Sequence, residues 1–161
     1  AEQRHPVEIV TSFMSATDDG LEADLVFVGS PSRVDVAINA AVQRAIEDGY
    51  PVQWITDATD RQVVEHMGAA TAFLSYGIEG YGIPVLEAIR RGLPVLFDGI
   101  QPAGDIMEGR GAMRVPLQPD AAAWRSAIDR AEAARTQLDP NGVPTWRSFA
   151  RSVAQACADS S

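Results

Sequence analysis

Lysine is absent from this chain: all 13 basic residues are arginine, set against 22 acidic ones for a formal charge of −9. Codon bias suffices to explain the missing lysines, but one physical consequence holds whatever the origin. Any phosphate bound here must be met by guanidinium groups, backbone N–H groups or helix dipoles. The acidic balance also excludes broad nucleic-acid binding, which needs a basic face. A single cysteine, Cys157, excludes an internal disulfide framework and suits a reducing, cytoplasmic compartment. No apolar run reaches the length of a membrane span, and no signal-peptide pattern opens the chain. The opening AEQRH lacks methionine, as expected of a processed product or an excised piece.

Several chemical signatures are missing too. The two histidines, His5 and His66, do not fall with carboxylates at metal-ligand spacing, so no metal is expected. There is no G-x-S-x-G elbow and no P-loop. Gly77, Gly80 and Gly82 follow an apolar run but lack the three-glycine spacing and the downstream ribose acid of a dinucleotide fingerprint.

What remains is an ordinary composition, 46% hydrophobic and 22% charged, over 161 residues, which bounds the chain to one domain with a real core. Apolar runs alternate with amphipathic stretches, the pattern of βα units and a mainly parallel sheet with flanking helices. Strands are expected at 25–29, 52–55, 71–75 and 94–97, with a weaker fifth at 112–115. Helices are expected at 6–17, 33–48, 59–69, 83–91, 120–137 and 145–157, with a short one at 102–108. Asp57 or Thr59 is placed to cap the third helix and Gly49 to close the second. The fold class is thus α/β, a parallel Rossmann-like sheet flanked by helices.

The most informative segment is 74–98, LSYGIEGYGIPVLEAIRRGLPVLFD, where Glu79 and Glu87 stand eight positions apart. Between them lie Gly80, Tyr81, Gly82 and Ile83, then Pro84, which suits a first helical turn because its missing N–H costs nothing there. A strand, a glycine-rich turn and a helix form a unit that places ligands at the carboxyl ends of parallel strands. The helix N-terminus offers unpaired N–H groups to an anion such as a diphosphate. Helical geometry turns Val85, Leu86 and Ile89 to one side and Glu87, Arg90 and Arg91 to the other. Taken alone, Glu87 reads as half of an exposed pair with Arg91, and Glu79 as a solvated loop carboxylate. The glycines, the proline and the flanking strands together favour a ligand site.

This segment resembles the E-x7-E region of retaining glycosyltransferases of the GT-B fold, group 1 (family 4). The likeness spans roughly residues 20 to 155. It includes the run from LVFVG to VLEA with the acidic turn from Asp57 to Asp60, the segment LPVLFDGIQPAGDIM after the motif, and the terminal PTWRSFARS. The resemblance implies a donor-binding, C-terminal GT-B domain, an excised piece lacking the N-terminal acceptor domain and first strand. It implies transfer of a glycosyl group from a nucleotide-diphosphate sugar to a saccharide, lipid or other acceptor, with retention and with no cofactor. In that scheme Glu79 lies by the donor sugar and Glu87 binds the nucleotide ribose. The backbone from Gly80 through Tyr81 and Gly82 to Ile83, with Arg4, stabilises the diphosphate, and Ile55 and Thr56 flank the base together with Trp54. The start departs from the family pattern, because His5 stands where a lysine is common. A non-catalytic nucleotide- or sugar-binding relative of the same fold is the alternative. The resemblance implies a cytoplasmic protein, and many enzymes of the family work at the inner face of the cell membrane, through surfaces on the other half.

Overall fold

The computed structural model describes residues 7–31, 36–78, 80–116 and 118–145. Over these, five strands alternate with six helices: α1 (Val7–Asp18), β1 (Leu25–Val28), α2 (Val36–Glu47), β2 (Val52–Ile55), α3 (Asp60–Ala69), β3 (Phe73–Ile78), α4 (Ile83–Arg90), β4 (Val95–Ile100), α5 (Pro102–Met107), β5 (Ala112–Arg114) and α6 (Ala121–Arg135). A short 3-10 turn, Pro140–Gly142, follows. Every strand pairing is parallel. The arrangement is a Rossmann-like α/β fold. The helix expected at 145–157 lies outside the described residues.

The strands form two hydrogen-bonded groups. β1 pairs with β2, and β3, β4 and β5 form a second ladder with β4 at its centre. No ladder joins β1 to β3 among the described residues. Side chains join them instead. Leu25, Val52, Val10, Phe13 and Trp124 build one core, against which Phe27, Leu74 and Tyr76 pack from both strand groups. Trp124 of α6 meets Phe13 of α1 edge to face, with ring centroids 5.7 Å apart. A second core gathers Val85, Ala88 and Ile89 of α4 with Val95 and Phe97 of β4 and Ala103 and Met107 of α5. Leu96, on the opposite face of β4, packs with Val115, Ala127 and Ala131. β4 is therefore covered on both faces, which is why its sequence is a continuous apolar run rather than an alternation.

Caps fix the helices as the sequence leads one to expect. Thr59, not Asp57, caps α3 in a full capping box with Gln62. Asp120 caps α6 through the N–H of Ala123 at 2.8 Å.

β3 and β4 run three residues further than sequence propensity indicates. The ladder continues through Gly77↔Gly99 to Ile78↔Ile100, so the carboxyl edge lies beyond Ser75 and Asp98. Gly99 has φ = 94°, and a Cβ there would sit 2.2 Å from the Gly77 carbonyl oxygen. Glycine here permits two backbones to stay paired at a closeness no side chain allows.

Candidate functional site

At the end of β3 the chain turns through Gly80 and Tyr81 into α4. Gly82 is the N-cap, in the left-handed region at φ = 87°, and no side chain caps the helix. A Cβ on Gly82 would meet the Ala103 Cβ at 3.2 Å, so both conformation and space require glycine. Pro84 occupies the first turn. Gly80 is open to solvent around its Cα, with no atom within 4 Å of the Cβ position. Tyr81 and Ile83 are large exposed hydrophobics, 47% and 56% accessible. Apolar surface thus flanks the free end of α4.

Val85, Ala88 and Ile89 of α4 are buried, while Ile83 and Glu87 lie exposed one turn apart on the opposite side. The pairing that sequence suggested for Glu87 takes another form. Arg91 Nη1 donates to the Glu87 carbonyl oxygen at 3.4 Å. The Glu87 carboxylate makes no hydrogen bond or ion pair among the described residues. Its four acceptor sites are available to a ligand. Glu79 and Arg4 lie outside the described residues.

Beneath this turn lies the loop from β4 into α5. Ala103 N–H donates to the Tyr81 carbonyl at 2.8 Å. Gln101, fully buried, accepts through Oε1 from Ser75 Oγ at 3.1 Å and donates through Nε2 to the Gly77 carbonyl at 3.4 Å. Sequence reasoning missed Gln101, because a glutamine between a strand and a proline reads as solvated loop.

Arg114 closes the carboxyl end of β5. Its guanidinium stacks 4.5 Å above the Phe97 ring and pairs with Asp98 at 3.3 Å, with Asp105, and more distantly with Glu108 at 3.9 Å. One cation answers three carboxylates, so this corner of the edge is net negative among the described residues. Asp98 also adds to the burial that pushes the Tyr76 hydroxyl well above its ordinary range. That hydroxyl has no hydrogen-bond partner among the described residues.

At the carboxyl ends of the other strand pair, Ile55 and Thr56 are half-buried. The Trp54 indole donates to the Gly29 carbonyl at 3.0 Å, and Trp54 packs on the first core. Its ring is therefore a wall of the domain. It lines a cavity of about 150 Å³ with Phe27, Gly29, Ser30 and Ile38. A larger cavity of about 300 Å³ lies elsewhere, at the amino end of β5 beside Gly109, Gly111, Leu138 and Asp139. In parallel α/β sheets ligands sit at carboxyl ends, so size alone does not choose between them.

Among the described residues no group of His, Cys, Asp and Glu could hold a metal ion. No helix among them is long and apolar enough to cross a membrane. The chain matches no protein-family model and no curated protein. What the molecule itself establishes is an α/β domain whose parallel strands alternate with helices.

Proposed function

We propose that this chain is a nucleotide-sugar-binding domain, the donor half of a retaining GT-B glycosyltransferase. The observation that carries the reading is the β3–α4 unit. It has a glycine N-cap with no capping side chain, and one turn on is an exposed carboxylate with no partner among the described residues. Glu87 would accept two hydrogen bonds from a vicinal diol such as ribose. The N–H groups around Ile83 would face the diphosphate, and Tyr81 and Ile83 would give apolar contact to the donor. Glu79 would stand by the sugar, and Ile55 and Thr56 by the base. The acceptor, a saccharide or a lipid, would bind on a second domain, and the work would be done in the cytoplasm or at the inner membrane face.

A non-catalytic nucleotide- or sugar-binding module is the second reading. Arg114 favours it: the basic side chain at this edge is already engaged by three carboxylates. A leaving diphosphate would then depend on Arg4 and helix N–H groups for its charge.

Calorimetry with UDP and GDP tests the shared part of both readings. Glu87→Ala should weaken binding by about 1.5–3 kcal/mol, the range for hydrogen bonds to a charged group. Equal affinity in the two proteins would return Glu87 to the solvent face. Turnover in the full-length protein then separates the readings. As a transition-state contact, Glu79→Ala should lower kcat by about 10²-fold while leaving nucleoside-diphosphate affinity nearly intact. Binding of nucleotide sugars without any turnover would favour the module.

A further inference from the structure

Gln101 is the buried polar residue of this domain, 0% exposed among the described residues. Both ends of its amide are used. Oε1 accepts from Ser75 Oγ at 3.1 Å, and Nε2 donates to the Gly77 carbonyl at 3.4 Å. Oε1 also lies 3.5 Å from the place a Gly82 Cβ would occupy. Two residues on, Ala103 N–H donates to the Tyr81 carbonyl at 2.8 Å. Residues 101–103 thus grip the β3–α4 connection on both sides, at Ser75 and Gly77 before the turn and at Tyr81 and Gly82 after it.

Burying an amide costs free energy that an apolar side chain of similar length would not incur. Methionine would fill this volume beside Ser75, Gly77 and Gly82 without a polar atom to satisfy. Methionine could not, however, present an acceptor to one strand-end group and a donor to the next. The amide orients: it ties down the end of β3 from which the turn into α4 departs. We propose that Gln101 is a positioning residue: by fixing Gly77 and the floor under Gly82, it sets the direction in which the Tyr81–Ile83 backbone and Glu87 face a bound nucleotide. For its ligand this rests on the nucleotide-sugar reading; for its geometry it stands alone.

Two variants and two readouts test it. Gln101→Met removes both hydrogen bonds while keeping length. Gln101→Glu keeps the acceptor, and its neutral acid form also supplies an O–H donor to Gly77, whereas its carboxylate offers acceptors only. Burial raises the titration of that acid. The Glu variant should therefore match the parent when acidified and depart from it as pH rises. Neighbouring elements carry Tyr76, Glu87, Asp98 and Asp105, so the parent is measured over the same pH range as the baseline.

The first readout is the ¹H–¹⁵N shifts and relaxation of the Tyr81, Gly82 and Ile83 amides in the unliganded protein. The second is UDP affinity by calorimetry. Gln101→Met should move those three amides, leave those of α6 in place, and raise the UDP dissociation constant about tenfold, the scale of one lost charged-group hydrogen bond. Parent-like shifts at 81–83 in Gln101→Met, or a pH-independent change in Gln101→Glu, would overturn the proposal. Should the parent bind no UDP, the nucleotide reading fails and the shifts still decide the role of Gln101. Should Gln101→Met not fold, the pH titration of Gln101→Glu decides it.

Discussion

The two strand groups of this domain are built to different standards. In the β3–β4–β5 group the central strand is sealed on both faces, with Val95, Leu96 and Phe97 at 0%, 1% and 0% exposure. The β1–β2 group buries Leu25 and Val52 on one face but leaves Val26 and Val28 each 38% exposed on the other. Polar detail follows the same division. The second group carries two sets of contacts, Gln101 with Ser75 and Gly77, and Arg114 with three carboxylates. The first group is tied at its carboxyl end by the Trp54 indole and a long Ser30-to-Thr56 contact of 3.5 Å. The candidate turn leaves β3, the direct ladder neighbour of this sealed strand.

Truncation at matched positions should expose that difference most strongly. Phe97→Ala should cost about 3–5 kcal/mol, since it empties the space between α5 and β4 and removes the ring beneath Arg114. Phe27→Ala, at a half-buried ring on β1, should cost about half as much. Urea denaturation of the two variants measures both, and equal costs would dissolve the distinction.

Backbone closeness gives the next effect. Gly99→Ala should cost about 2–3 kcal/mol, because φ = 94° is strained for alanine and the new Cβ meets the Gly77 carbonyl. The β1–β2 ladder contains no glycine. Val28→Ala, at its exposed end, should change stability by under about 1 kcal/mol. A Gly99→Ala protein as stable as the parent would show that the β3–β4 ladder ends before Gly99.

Two tyrosines sharpen the contrast with the smallest effects. Tyr50 is half-buried against the first core and its hydroxyl donates to Asp18 at 3.0–3.1 Å, an interaction that raises its pKa. Tyr76 has a buried, unpartnered hydroxyl, and burial followed by the Asp98 charge raises it further. Replacing Tyr76 by Phe removes an unsatisfied polar atom and should stabilise the protein by about 1 kcal/mol at neutral pH. Tyr50→Phe should not stabilise it. Both folded pKa values lie above the unfolded value of 10.0. Unfolding therefore releases protons once pH passes about 10, and stability falls as pH rises. The slope from Tyr76 alone is about 1.4 kcal/mol per pH unit. Denaturation curves above pH 10 should flatten in Tyr76→Phe; an unchanged slope would mean that the hydroxyl reaches water.

Most of the architecture was legible in the sequence because the periodicities are clean. The alternation of apolar runs with amphipathic stretches gave the order of strands and helices, and Pro84 after Gly82 marked the start of α4. Two things were hidden. Gly77 and Gly99 fell beyond the expected strand ends, since sequence shows each glycine's freedom but not that the two face one another across a ladder. The roles of Gln101 and Arg114 were invisible because their partners lie on other elements, β3 for Gln101 and β4 and α5 for Arg114. Glu87 was visible as a candidate, but that Arg91 bonds its carbonyl and not its carboxylate depends on side-chain geometry that spacing does not supply.

The seam between β1 and β3, crossed by no ladder among the described residues, bears on how the chain assembles. Leu25 pairs with Val52, Phe73 with Val95, and Val95 with Ala112, so every ladder closes between strands that are neighbours along the chain. No backbone pairing has to wait for distant segments to meet. Each strand pairing closes over a single helical crossover, so the two groups have no ladder to share and meet through side chains about Phe13 and Trp124. If docking of the two groups is the last event, the contacts of these rings are unformed in the transition state. Truncating either ring should speed unfolding far more than it slows folding.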